Sequence, residues 1–560
     1  MFVPVGDGDG DDAVIGEDPL GNLSYFLRGQ HKNNPTGGSD SPPTLPHTLD
    51  DELRQILSEG NAEYRLGPTS GFAFASLTQS KLGGLAIDKS DQPVEGTTDQ
   101  DDLGELAFHS PLDLLNPNIF DHTEVPKSCD PGSAPGFGMS SAMGFTDHAT
   151  NLDPRLDMQH VHRLVEVYFA HSHILYPVID RREFMSSLES FQEEPEHGSP
   201  QTPMSLFRIW MILAIGSAAY CSVDMTAAQE HTKHYNKALS YSDAAVTANS
   251  MAAIEVIILR VTYSLFNQLE ANTWLLVGVA VRIALGMGLQ SSATYQGLPF
   301  NMVERRKRLF FSLYMMDRVI STTLGRPFAI DDEDIDISPF VVTNDEEAHI
   351  GEADSQKSLD LSSMAIPLHI LKLRRISSRI QALLYTNKHK DDQVNDEKDE
   401  IIHGIHKDLI QWRRDMPFPL PKIDAPVPHF TSTWYDFNYH THLAILYRPT
   451  PLLPTLDERR MKILTDAASS SIRLASSMYR QGIFSHHWLN LHAVYMSTVT
   501  LVYVIAVQLD DSTKHLVRTK AAEDVQLALQ LFESMGLRYP AARRAKALFS
   551  VILRRCHEVG

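Results

Sequence analysis

Residues 304–336 read ERRKRLFFSLYMMDRVISTTLGRPFAIDDEDID, and the order of parts within this stretch sets the fold class. Leu309, Leu313, Met316 and Ile320 recur at three- and four-residue spacing, with Phe310 and Tyr314 beside them. That is the stripe of a helix burying one face. Gly325 suits a left-handed cap, and Pro327 prevents the helix from continuing. At the other end the basic run Arg305 to Arg308 follows Glu304. Such a run predicts a solvated helix face, with Glu304 pairing Arg308 at i,i+4; contact with DNA phosphate or a nuclear import signal is the functional alternative. Asp317 and Arg318 fall beside the apolar stripe and read as a structural ion pair. Arg326 precedes the carboxylates of 331–336, so an Arg326–carboxylate clasp closing the loop is the simplest physical account.

Working outward, the helical period begins after Asp153, where Val161, Leu164, Val165, Tyr168 and Phe169 mark one face. Tyr176 and Pro177 end that element, and Asp180 reads as the N-cap of the next. Further helices are expected near 203–222, 226–248, 251–267, 273–290, 366–386, 399–415, 435–447, 458–480, 486–508, 521–535 and 541–556. Period-two alternation is nearly absent. The expected class is therefore all-α, a large multi-helix domain of about 12–15 helices behind a disordered acidic N-terminal tail. The expected divisions are a largely disordered Gly-, Pro- and Ser-rich tail over 1–152, a helical domain over 153–345 and a helical continuation over 346–560.

The 560 residues carry a net charge of −21, which gives no global basic footprint for nucleic acid. Three cysteines, Cys129, Cys221 and Cys556, lie far apart and suggest a reducing compartment, with neither a disulfide framework nor a four-cysteine zinc site. The N-terminus has no basic region leading into an apolar one, so secretion is not expected. Residues 493–509, AVYMSTVTLVYVIAVQL, are uncharged but lack positive flanks and read as a buried helix of a soluble protein, not a membrane span.

Several stretches invite sharper chemistry. The helix WLLVGVAVRIALGMGL at 274–289 is apolar nearly all round, so burial would oblige Arg282 to find a partner. Its Gly278, Ala280, Ala284 and Gly286 would admit close helix neighbours. Asp332, Asp334 and Asp336 alternate like a calcium loop, yet Ile337 stands where that loop needs glycine. DDEDI at 331–335 and NDEEAHIGE at 344–352 approximate the magnesium-diphosphate motifs of all-helical terpene synthases, but Glu346 and Ala348 occupy defining positions. The pairs His160/His162 and His171/His173 have no adjacent cysteine or carboxylate set and read as exposed or capping residues. No hydrolase elbow, phosphate loop or zincin motif is present. The expectation is no enzyme, and no catalytic, cofactor or metal site. Residues 101–120, which mix carboxylates with Leu and Phe, resemble acidic activation segments.

Together, 164–184 (LVEVYFAHSHILYPVIDRREF), 274–290 and above all 304–336 resemble the fungal-specific regulatory domain, or middle homology region, of binuclear zinc-cluster transcription factors. GPTSGFAF at 67–74 is similar to a short segment that often precedes that domain. The resemblance implies a nuclear regulator of RNA polymerase II transcription. Its partners would be transcription machinery or other regulators, with a small-molecule effector in prospect and no membrane. Arg282, Asp317, Arg318, Gly325, Arg326, Pro327, Asp332, Asp334 and Asp336 then form a family signature of structural character. The family's zinc cluster uses six cysteines, which this chain does not supply. No zinc or other cofactor is expected, and DNA would be reached only indirectly or through a separate N-terminal module. A regulator that acts through partners without any DNA contact is the alternative.

Overall fold

The computed structural model describes residues 74, 75, 77, 78 and 81, then 157–192, 201–222, 230–246, 249–266, 273–341, 364–386, 395–418, 420, 427–508 and 515–559. All of them lie in the unit Ile56–Gly560. The remainder of the expected tail, the acidic segment 101–120 and the motif at 344–352 lie outside the described residues.

Among the described residues there are fourteen α-helices and no β-strand. They are α1 (Met158–Tyr168), α2 (Arg181–Gln192), α3 (Pro203–Cys221), α4 (Glu230–Val246) and α5 (Ser250–Ser264). Next come α6 (Thr273–Gly286), α7 (Phe300–Leu324), α8 (Ala365–Ile380), α9 (Asn395–Arg414) and α10 (Ser432–Tyr447). The last four are α11 (Glu458–Arg480), α12 (Trp488–Val507), α13 (His515–Gly536) and α14 (Pro540–Val559). Side-chain caps start many of them. Asp157 accepts from the Gln159 amide at 3.0 Å, Thr202 from Ser205 at 3.1 Å and Asn249 from Ala252 at 2.9 Å. Each satisfies a backbone donor that the first turn leaves free. Asp180 accepts from the Glu183 amide at 2.9 Å, as its place before α2 predicted.

The apolar helix α3 is buried almost throughout because α1, α2, α4 and α5 surround it. A Cβ at Gly216 would stand 2.1 Å from the Leu164 carbonyl oxygen, so α1 and α3 approach to backbone contact there. In the C-terminal half, α12 is held among α10, α11, α13 and α14. α3 and α12 are long and apolar enough to cross a membrane, yet both are mostly buried within the fold. α7 packs on α6 and α8, so the two halves of the chain are continuous at this point.

The expectations for α6 and for the second histidine pair change. α6 exposes one face, including Leu275 and Arg282, so Arg282 lies at the surface and needs no buried partner. Its Gly278 and Gly286 have no neighbour within 4 Å of a built Cβ, so they admit no close helix. His171 and His173 are buried, not exposed, because α1 runs into a π-helical turn, Phe169–His173, that turns both rings into the interior. Within the expected disordered tail, Phe74, Ala75, Leu77 and Thr78 are helical. The Phe74 ring is buried 5.1 Å from the Tyr503 ring of α12.

Candidate functional site

α7 stops where the sequence predicted. Gly325 takes φ 66°, and the Arg326 amide returns to the Ser321 carbonyl at 2.9 Å. Glycine bears this left-handed geometry without steric cost, and Pro327 follows it. The chain then doubles back along α7, and the amides of Ala329 and Ile330 donate to the Asp317 carboxylate at 3.1 and 3.3 Å.

Arg318 organises this return and is fully buried. Its Nη1 donates to Asp317 at 2.6 Å, its Nη2 to the Ile330 carbonyl at 2.8 Å and its Nε to Ser378 of α8 at 3.1 Å. Nη2 also lies 3.3 Å from Asp332. The Tyr314 hydroxyl donates to Asp332 at 2.6 Å, and the Ser378 hydroxyl donates to its other oxygen. The guanidinium sits between the rings of Tyr314 and Phe328, at 4.1 and 4.2 Å. A buried charge persists where its donors are used in this way. Burial raises the Asp317 carboxyl above its ordinary range, against the pull of Arg318 and the amides. Burial also pushes on Asp332, but the Arg318 charge and the two hydroxyls outweigh it and hold that carboxyl low.

The clasp expected of Arg326 is therefore made by Arg318. Arg326 places its guanidinium 4.7 Å from the Trp274 ring centre, while its carbonyl accepts from Gln381. The three alternating aspartates diverge. Asp332 faces Arg318, Asp334 sits in an exposed turn, and Asp336 accepts from the Ser292 amide and hydroxyl at 2.6 and 2.9 Å. Among the described residues no three His, Cys, Asp or Glu side chains group as metal ligands.

The basic run is not a solvated face. Glu304 is buried, accepts from the Val341 amide at 2.8 Å and lies 3.8 Å from Lys307, which takes the place expected for Arg308. Lys307 also donates to Ser338 at 3.0 Å, and Arg306 donates to the Thr294 carbonyl at 3.1 Å. Arg305 lies 3.7 Å from Glu183 and 3.5 Å from Glu255, whose carboxylate is held on two sides by Arg208 at 2.5 and 2.9 Å. These cations hold the protein's own carboxylates and carbonyls.

Beside the clasp lies a cavity of about 180 Å³, and sequence reasoning had no means of finding it. It is lined by the π-helical turn, the end of α5, the last turns of α7, α8, α10 and the start of α12, and it opens to the surface. Leu265, Phe266, Val319, Phe437, Ile445 and Met496 give it apolar walls. Its polar lining includes Arg374, His171, His429, His442 and His487 and, among the described residues, no Asp or Glu. Burial lowers His171 and His442 to about 4 and His429 and His487 to about 3, so all four are neutral at neutral pH. His442 is satisfied by the Asn438 carbonyl and Ser377, at 2.7 and 2.9 Å, and His429 by the Ala170 carbonyl at 2.9 Å. The residues meeting here are hundreds of positions apart, which is why no local pattern signalled the cavity.

Residues 165–414 match the family described as Fungal specific transcription factor domain. The chain is 24% identical over 424 residues to Protein STB5 of Saccharomyces cerevisiae, covering 71% of this chain and 54% of that protein. It is 28% identical over 312 residues to Pyrimidine pathway regulatory protein 1 of the same yeast, covering 53% and 33%. Against Positive regulator of purine utilization of Emericella nidulans it is 21% identical over 449 residues, covering 62% and 42%. The chain thus spans about half or less of the length of these relatives. No solved structure matches it.

Proposed function

We propose that this chain, which carries a fungal specific transcription factor domain, regulates RNA polymerase II transcription in the nucleus through its helical domain. The observation that carries the reading is the domain match over 165–414, a span that contains the α7 clasp and part of the cavity lining. Its work is interaction with transcription machinery or other regulators. Relatives of the same domain bear names of transcriptional regulators, and none of the three named above is named as an enzyme. The site geometry agrees with this, since the buried clasp spends its donors on structure.

No zinc cluster can be assembled from Cys129, Cys221 and Cys556, so no step of the proposal runs through zinc. Contact with DNA is supplied by a partner or a separate module. The test is a fusion of the full chain to a foreign DNA-binding module in a fungal host, read on a reporter carrying that module's site. A change in reporter output of several-fold relative to the module alone is expected, with the tagged chain in the nucleus. Unchanged output and exclusion from the nucleus would overturn the reading.

A further inference from the structure

Arg374 projects from α8 into the cavity, where among the described residues no carboxylate faces it and the Tyr176 phenol is its electrostatic neighbour. No ion pair holds it among the described residues, and its Nε has no hydrogen-bond partner. The other arginines at the cavity differ. Arg318 is spent on Asp317, Ile330, Ser378 and Asp332, and Arg448 donates to the Tyr385 hydroxyl at 2.7 Å. A half-buried guanidinium with no carboxylate beside it is incompletely compensated, and among the described residues the cavity lining offers none.

His171 is the second unanswered group. Both ring nitrogens are buried without a partner, and the ring lies tilted against Phe266 at 5.4 Å and edge-on to His429 at 5.5 Å. A neutral imidazole offers one donor and one acceptor, and neither is used. The Ser172 hydroxyl, also at the cavity, is likewise buried and unpartnered. Unmet polar groups from two distant segments thus converge on one space.

We propose that this cavity binds a small organic monocarboxylate, with Arg374 pairing the carboxylate and His171 and Ser172 as supporting polar contacts. The planar fork of a guanidinium matches two carboxylate oxygens. Among the described residues Arg374 is the lining arginine left without an ion pair or hydrogen bond, and one cation suits one negative charge. The apolar walls of Phe266, Phe437, Ile445 and Met496 select a compact hydrocarbon body. A cavity of roughly 150 Å³ accommodates benzene, so 180 Å³ has room for a body near that size with its carboxylate. The inference does not rest on the regulatory reading, because binding is measured on the purified chain without any transcription.

The test is thermal unfolding and titration calorimetry of the full chain with benzoate, 3-methylbutanoate, benzyl alcohol and inorganic phosphate. Benzoate or 3-methylbutanoate is expected to raise Tm in a dose-dependent way, with benzyl alcohol and phosphate far weaker. Arg374→Met is expected to weaken the carboxylate by roughly 10- to 100-fold, the worth of a charge-assisted contact. The unliganded Tm of that variant is expected to be unchanged or higher, because the substitution removes a charge that no described carboxylate faces. His171→Phe is expected to weaken binding less. No shift with either carboxylate overturns the proposal. So does equal binding of benzyl alcohol or phosphate, or retention of full affinity in Arg374→Met. A large loss of unliganded Tm in that variant would show Arg374 to be structural, and would overturn it as well.

Discussion

The Arg318 guanidinium lies 3.3 Å from the Asp332 carboxylate, bridging the last turns of α7 to the return that follows it. Because Arg318 also grips Asp317 and Ser378, this one side chain ties α7, the return and α8 together. Removing one member of a buried pair leaves the other uncompensated, at a cost of about 3–5 kcal/mol. Asp317→Ala should therefore lower stability by about that amount in urea unfolding followed by circular dichroism. A change below about 1 kcal/mol would show that the clasp is dispensable.

The two glycines Gly216 and Gly278 should respond with opposite signs. Alanine at Gly216 would press its Cβ into the Leu164 carbonyl, which is backbone and cannot yield, so a loss of about 3 kcal/mol or more is expected. At Gly278 nothing lies within 4 Å, and alanine should stabilise α6 by about 0.5–1 kcal/mol. Equal effects at both positions would contradict the close approach of α1 and α3.

Acid should destabilise the fold through its buried histidines. His171, His231, His369 and His442 sit near 4 in the folded chain, and His429 and His487 near 3, because burial disfavours the imidazolium. Their unfolded values are about 6.5, so the unfolded chain takes up protons first as pH falls. The stability they contribute is full above about pH 6.5 and declines progressively toward pH 4. Tm measured from pH 7.5 to 4.5 should fall through this window, and a His171→Phe, His487→Phe variant should show a shallower slope. An unchanged slope would mean these rings already titrate normally.

Neutralising the basic run should weaken the fold, not DNA contact. Arg306 and Lys307 are committed to Thr294, Ser338 and Glu304. Arg306→Gln with Lys307→Gln is expected to lower Tm by a few degrees, on the order of 1 kcal/mol. The salt dependence of DNA binding by the foreign-module fusion should stay the same, since each lost phosphate contact would reduce that slope. A shallower slope would restore the phosphate-contact reading.

The sequence by itself determined the all-α class, the stop of α7 at Gly325 and Pro327, the cap at Asp180 and the family resemblance. These are short-range properties: spacing, cap chemistry and backbone preference act within a turn or two of helix. Tertiary structure alone decided which guanidinium meets which carboxylate. Arg326 is nearer in sequence to the acidic cluster, but the left-handed turn at Gly325 carries it to Trp274 and leaves Arg318 facing Asp332. The same holds for the exposed Arg282, the buried His171 and the cavity around Arg374. Burial and pairing depend on helices that meet across hundreds of residues, and no local pattern encodes that meeting.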